Sequence, residues 1–517
     1  MMIIAANIEL YRYEIHSLVH EFYPEESVRV EIMPEYFENT AGSGNELPFM
    51  SVQFLEDRIL VRLPSAVRSE NTWEMPVREG DSPEETAGAE SAQEKVPAVR
   101  YDEKSPACKA ALKHVVYRAL SEETGRELPW GELIGIRPTK LAMDRLLKGY
   151  SKEEAASYME ENFLVSGEKA RLSADIAFRE REILSGIHYE KGCSLYIGIP
   201  FCPTTCLYCS FTSFSIEAYR EKVKDYLAAL TREMEDTSAL IRENGWTIDT
   251  IYIGGGTPTS LSAEELEILL DAVDRFFLNA PERRKALLEY SVEAGRPDSI
   301  TPDKLFVLKS HGVTRISVNP QTMKEETLRL IGRRHTVKQV VDAFRMAREA
   351  GFENINMDLI LGLPDESEED VRRTIDEVVK LSPDSMTVHS LAIKRASRLA
   401  LWIEKNGISS MRNTDACMHI AEAGSVRMGM EPYYLYRQKN MSGNFENVGY
   451  ARPGKAGIYN ILIMEEKQSI LAMGAGSISK VVFPGGRIER ADNCKDVNTY
   501  IENIEEMIGR KRKLFGT

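Results

Sequence analysis

Three cysteines carry the first chemical signal in this chain. Cys202, Cys206 and Cys209 form a C-x3-C-x2-C run inside Leu195-Tyr-Ile-Gly-Ile-Pro-Phe-Cys-Pro-Thr-Thr-Cys-Leu-Tyr-Cys-Ser210. Thiolates this close bind a soft metal or an iron–sulfur cluster, and three of them leave a four-thiolate site one ligand short. The four-cysteine ferredoxin spacings are not met. Besides cysteines unrelated to one another, spacing alone leaves two arrangements open. One is a zinc ion with a distant fourth ligand. The other is a [4Fe-4S] cluster with one iron free for an exogenous ligand. The apolar run Leu195–Ile199 reads as a buried strand, and the cysteines follow at its carboxyl end, where α/β barrels hold their active sites.

Further polar or glycine-rich positions recur at the ends of apolar runs. Gly254, Gly255, Gly256 and Thr257 lie in Ile253-Gly-Gly-Gly-Thr-Pro258. Missing side chains there let backbone groups approach a ligand closely. The run fits neither G-x-G-x-x-G nor the Walker A pattern, so a nucleotide phosphate is not the expected ligand. Glu293 ends one run, Gln321 and Arg333 follow another, and Asp358 interrupts a third. Such charges are costly unless paired with one another or bound to a ligand. His389, Lys394, Arg395 and Arg398 form one basic cluster, and Arg437 and Lys439 form a second beside Tyr433, Tyr434 and Tyr436. In a chain of net charge −15, bases at the mouth of a barrel point to an anionic substrate with an aromatic wall. A solvated charge run is the competing reading.

The elements that must hold these residues alternate. Strands are expected at Leu195–Ile199, Thr250–Ile253, Leu288–Glu293, Arg315–Val318, Ile355–Leu361 and Ser385–Ser390. Amphipathic helices are expected between them at Ala218–Leu240, Ala263–Phe277, Val337–Ala350 and Glu368–Leu381. Alternation of this kind means a parallel sheet, and six units an incomplete barrel. Before it, residues 1–65 read as a small α+β accessory domain. Tyr11, Ile15, Leu18, Val19 and Phe22 fall on one helix face, and strands are expected around residues 28–32, 50–54 and 59–63. Residues 66–104 read as an acidic flexible linker, with eight acids against one base between Glu70 and Glu94. Residues 105–189 read as helical, 190–429 as the barrel, and 430–517 as a C-terminal cap over its opening, with an apolar strand at Ile458–Met464.

Length and composition add bounds. The chain has 517 residues, 43% hydrophobic and 28% charged, with an isoelectric point near 5.3. That argues against a broad surface for nucleic acid or anionic membrane. Seven cysteines in so long a chain are no disulfide scaffold. No transmembrane run or signal peptide is read, so a cytoplasmic location is expected; the chain is separately expected to be a monomer.

The cysteine run, with Tyr208 before the third cysteine, resembles the signature of the radical S-adenosylmethionine (SAM) superfamily. The resemblance spans about residues 190–480 and is nearest to the oxygen-independent coproporphyrinogen III oxidase group, in its HemZ-type branch. A Trp130-Gly…Gly-Ile-Arg-Pro-Thr-Lys140 element before the barrel is similar to that branch. The resemblance implies a partial (β/α)6 barrel, a [4Fe-4S] cluster on the three cysteines, and SAM on the open iron. It also implies roles by matching position. Gly254–Thr257 contact the SAM amino group, Glu293 and Asp358 lie near its ribose, Gln321 and Arg333 near its carboxylate, and Tyr196 near its sulfur. The expected activity is oxidative decarboxylation of two propionates of coproporphyrinogen III to vinyls, with an electron donor such as flavodoxin or ferredoxin. His389, Lys394, Arg395 and Arg437 are the candidate substrate residues. The chain departs from the oxidases in having Phe211 in place of a fourth cysteine and Gly198 in place of a histidine. The related heme-chaperone branch carries His-Asn-x-x-Tyr-Trp where this chain has Tyr459-Asn-Ile-Leu-Ile-Met464. A heme-binding protein, or a radical SAM enzyme acting on (and perhaps methylating) another tetrapyrrole, are the alternatives.

Overall fold

Alternating apolar residues build the first sheet. In the computed structural model, which describes residues 1–38, 48–63, 71–76, 105–135, 137–209, 213–392, 398–406, 411, 413–438 and 444–515, the chain divides into two compact units. One is Met1–Asp175 with a short stretch around Arg437; the other is Ile176–Tyr436 with Met441–Thr517. The first unit holds strands β1 (Met2–Ala6), β2 (Val28–Ile32), β3 (Met50–Phe54), β4 (Arg58–Leu63) and β5 (Asn71–Pro76), in the order β2-β1-β3-β4-β5. Two helices cover this sheet, Arg12–Phe22 and Pro106–Thr124. Ile15, Leu18, Val19 and Phe22 of the first meet Val115, Val116 and Leu120 of the second in one core with Val52, Ile59 and Val61.

Two expected boundaries therefore differ. The segment 66–104 contains β5, which pairs with β4 through Trp73 opposite Val61; its other residues, apart from 71–76, lie outside the described ones. The helix Pro106–Thr124 shares the N-terminal core instead of opening a separate helical segment. Its start is well marked: Ser105 accepts a hydrogen bond from the Cys108 amide at 3.3 Å, and Pro106 stands at the first position.

The second unit carries the barrel sheet. Its strands are β6 (Gly192–Ile199), β9 (Thr247–Gly255), β10 (Glu289–Gly295), β11 (Arg315–Val318), β12 (Ile355–Leu361) and β13 (Ser385–Ser390), all parallel and side by side in sequence order. The short parallel pair β7 (Phe201–Cys202) and β8 (Phe214–Ser215) brackets the cysteine loop. The helices between the strands are strongly one-sided. Glu368–Leu381, for example, starts at a Ser367 capping box and buries Val371, Ile375 and Val378.

Residues 430–517 are not a separate cap. β14 (Glu431–Tyr436) and β15 (Asn447–Ala451) extend the sheet antiparallel beside β13. At the other edge, β16 (Ser469–Met473) joins β6 in parallel, followed by antiparallel β17 (Ile478–Val482) and β18 (Ile488–Asp492). The run expected as a strand at Ile458–Met464 is a helix, Ile458–Glu465. A short continuous apolar run has no period that separates a buried strand from a buried helix.

This helix enters the barrel from the amino-terminal ends of the strands. The Ile458 amide donates to Glu289 at the start of β10, and the Tyr459 ring stacks on Tyr252 of β9 at 4.4 Å. The inward-facing side chains are polar. Ser194 and Thr250 hydrogen-bond at 2.8 Å, Arg315 donates to Ser385 at 3.2 Å, and Asn356 bridges Ser385 and Asp358. Packed barrels fill this space with Val, Ile and Leu; a hydrogen-bonded lining suits a polar ligand at the top.

Candidate functional site: a cysteine loop at the carboxyl ends of the barrel strands

The cysteine loop leaves β6 through Pro200 and is pinned on both sides. Backbone bonds run from Phe214 N to Pro200 O at 2.8 Å and from Ile216 N to Cys202 O at 2.9 Å. Across the mouth, the Leu207 amide donates to Ile331 O at 2.9 Å and the Thr204 hydroxyl to Gly332 O at 3.0 Å. Arg296, buried after β10, donates to the Thr204 hydroxyl at 2.6 Å and to Asp298 at 2.7 Å. Cys202 is buried, and Cys206 and Cys209 are half-buried. Burial pushes the Cys202 thiol up to about 11, with the Thr257 hydroxyl at 3.4 Å opposing and the other two cysteines adding to the rise. A buried thiol of this kind becomes a thiolate when a cation takes its proton's place.

The glycine run lies flush against that loop. The Gly256 amide donates to Ile199 O at 2.8 Å and the Thr257 amide to Phe201 O at 2.7 Å. A Cβ on Gly256 would stand 2.6 Å from Phe201 O and 3.0 Å from the Cys202 sulfur. Gly255 has φ +113°, a left-handed conformation that disfavours side chains. This is a cradle closed to side chains beside a sulfur ligand.

From the cradle two bonded groups of polar residues cross the strand ends. The Gly255 amide donates to Glu293 at 3.3 Å, and Tyr252 donates its hydroxyl to the same carboxylate. Burial raises Glu293 to about 7; the Tyr252 bond opposes this and Asp358 adds to it. Asn356 donates to Asp358 at 2.6 Å, and the Asp358 amide to Asn319 at 3.2 Å. Gln321 is held at φ 68°, its amide on Asp358 O at 3.0 Å and its carbonyl accepting from Ile360. Arg333, buried, donates to Asn319 O at 2.6 Å and meets the Tyr208 hydroxyl and the Cys206 sulfur. A non-glycine residue in the left-handed region is the kind of local strain that clusters at functional sites. Tyr196 stacks on Tyr252 at 6.2 Å and on Tyr459 at 6.3 Å, beneath Glu293.

The sequence-expected residues of the cysteine, glycine and strand-end sets thus fall in one place, while the substrate set does not. His389 stands at the end of β13, its Nδ1 3.3 Å from the Tyr436 hydroxyl. Lys394 and Arg395 lie outside the described residues. Arg437 is corrected: it is buried in the N-terminal unit, donates to Leu133 O, and lies 5.4 Å over the Trp130 ring. A cation following a strand reads as a mouth residue in sequence, but its guanidinium serves packing. Tyr433 and Tyr434 are likewise core residues, packed with Ile461 and Leu462 instead of walling a mouth. Sequence reasoning missed Tyr252, Asn319 and Arg296. Tyr252 had a signal: it sits two residues before Gly254 on a strand, hence on the same face.

The radical SAM superfamily model matches residues 196–378. The oxygen-independent coproporphyrinogen-III oxidase-like protein HemZ of Bacillus subtilis is 42% identical over 407 residues, 78% of this chain and 80% of that protein. The chain belongs to the HemZ-type branch of the radical SAM superfamily. The heme chaperone HemW of B. subtilis is 40% identical over 314 residues, 60% of this chain and 76% of its own. The solved structure of coproporphyrinogen III oxidase (HemN) from Escherichia coli shares 24% identity, covering 64% of this chain and 73% of that one, with a TM-score of 0.48. Members of this superfamily bind a [4Fe-4S] cluster and SAM, and the residues present fit that pair. The three sulfurs, one buried and two half-buried, supply one ligand fewer than a closed four-thiolate zinc site takes. They share one loop with a side-chain-free cradle against it, which suits the larger cluster and a ligand on its open iron.

Proposed function

We propose that this protein is a SAM-dependent coproporphyrinogen III dehydrogenase, converting two propionates to vinyls without oxygen. The observation that carries the reading is the polar set at the strand ends, Gly255 bonded to Glu293 on one side and Asp358, Asn319 and Arg333 linked in turn as far as Cys206 on the other, which supports a SAM site directly against the cysteines. When bound, the reduced cluster and SAM supply a 5′-deoxyadenosyl radical able to take hydrogen from an unactivated carbon. Cys202, Cys206 and Cys209 hold the cluster. Gly254–Thr257 present backbone to the SAM amino group. Glu293 and Asp358 accept from its ribose hydroxyls, and Gln321 and Arg333 bind its carboxylate. Tyr196, stacked under Tyr252, and Tyr208, against Arg333, set the walls. His389 with Tyr436 is the described part of the substrate side, and Lys394 and Arg395 are its proposed carboxylate anchors.

Heme carriage is the second reading, favoured by the likeness to HemW. Against it, Tyr459 stands where that branch has histidine, and its ring is buried in the tyrosine stack. Anaerobic incubation with coproporphyrinogen III, SAM and a reductant tests the proposal. A divinyl product with two carbon dioxides per porphyrinogen is expected. Stoichiometric hemin binding without decarboxylation would replace it with the chaperone reading.

A further inference from the structure

We infer that an acidic one-electron carrier protein docks at an arginine-lined pocket on the outside of the cysteine loop. The inference rests on the cluster reading above and names the partner that must reduce it. The pocket, about 550 Å³, is lined by Thr204, Thr205, Arg329, Arg333, Arg334 and Arg398, with Gly332 at its base. No acid lines it. Arg329, Arg334 and Arg398 are exposed, while Arg333 is buried. Arg398 donates to Thr205 O, next to Cys206. Gly332, at φ +79°, brings its chain so near that a Cβ would lie 3.4 Å from Thr205 O and 3.9 Å from the Cys206 Cα. The pocket base and a cluster ligand are thus separated by a single layer of backbone.

Charge makes the location specific. The chain carries −15 overall, so an acidic partner is repelled by the general surface and drawn to a local cationic one. Among the described residues the only acid paired with these three exposed arginines is Glu326, 3.6 Å from Arg329, and both members of that pair are exposed. Such a pair is weak and readily exchanged for a partner's carboxylate. Electron-transfer encounters use small, charge-steered interfaces whose rates fall with salt. Arg329 and Arg334 therefore steer the carrier, and Arg398, bonded to the cysteine loop, places it over Cys206.

The test uses the full-length protein with its cluster rebuilt anaerobically, and a purified acidic flavodoxin as probe. Binding of the oxidised flavodoxin is measured by titration calorimetry, and cluster reduction by stopped-flow bleaching with reduced flavodoxin or with dithionite. The double variant Arg329→Glu/Arg334→Glu should weaken flavodoxin binding at least tenfold and slow its reduction of the cluster by a similar factor. Dithionite reduction and iron content should stay unchanged. Raising ionic strength should slow the wild type towards the variant. Unchanged flavodoxin affinity and rate in a variant with a full cluster would overturn the docking site. Failure of the wild type to form any cluster would instead overturn the functional reading beneath it.

Discussion

Placing one methyl group on Gly256 tests whether the glycine run is a fitted cradle. A Cβ there would lie 2.6 Å from Phe201 O, where ordinary contact begins at 3.4 Å, so the strand must give by 3.4 − 2.6 = 0.8 Å. The obstacle is backbone, already tied by the Thr257 N–Phe201 O bond of 2.7 Å. Overpacking of this kind costs about 1–3 kcal/mol, and the strained hydrogen bond adds about 1 kcal/mol. Gly256→Ala should therefore cost about 2–4 kcal/mol in urea unfolding of the barrel unit. Because the same Cβ would lie 3.0 Å from the Cys202 sulfur, it should also lose most of the iron and sulfide taken up on anaerobic reconstitution. Gly509→Ala is the matched control. It lies inside the helix Ile504–Leu514, and its Cβ would meet nothing within 4 Å. A glycine-to-alanine change inside a helix gains about 0.5–1 kcal/mol. Wild-type stability and full iron content in Gly256→Ala would refute the cradle.

Arg333→Ala should weaken SAM binding by about 1–3 kcal/mol in equilibrium dialysis, the scale for a hydrogen bond to a charged group; an unchanged affinity would place the SAM carboxylate elsewhere. Glu293 ionises near 7 because of its burial, and only the carboxylate accepts two hydroxyl bonds. SAM affinity should thus rise between about pH 6 and 8 in the wild type and be flat in Glu293→Gln; a slope retained in the variant would assign it to another group. Glu21 is raised to about 7, by burial against the opposing pull of Arg437. Its unfolded form ionises first, so it costs nothing below about pH 4 and destabilises the N-terminal unit progressively as pH rises towards 7. Glu21→Gln should stabilise that unit at pH 8, by up to about 3 kcal/mol, and leave it unchanged at pH 4; equal shifts at both values would contradict the assignment.

Much of this architecture was legible because the barrel is locally consistent. Arg315–Val318, Ile355–Leu361 and Ser385–Ser390 are strands over the expected residues, since apolar runs of that length between amphipathic helices admit little else. The cysteine spacing and triple glycine located the site because each needs a special residue type at a fixed place. What failed was long-range. Arg437 and the tyrosines Tyr433 and Tyr434 have the composition of a binding wall, yet their partners come from distant sequence and bury them. Tyr459 lies in a run whose seven residues suit strand or helix equally, and tertiary packing chose helix. Asn319 was invisible for the same reason: it is not special until the neighbouring strand brings Asp358 and Arg333 beside it.

The source of the abstracted hydrogen distinguishes propionate decarboxylation from other radical chemistry most directly. Coproporphyrinogen III deuterated at the propionate β-carbons, incubated anaerobically with the reconstituted protein, SAM and a reductant, should place deuterium in 5′-deoxyadenosine and release carbon dioxide in step with vinyl formation. Unlabelled 5′-deoxyadenosine, formed without carbon dioxide or vinyl product, would contradict the dehydrogenase reading while leaving the cluster and SAM site in place.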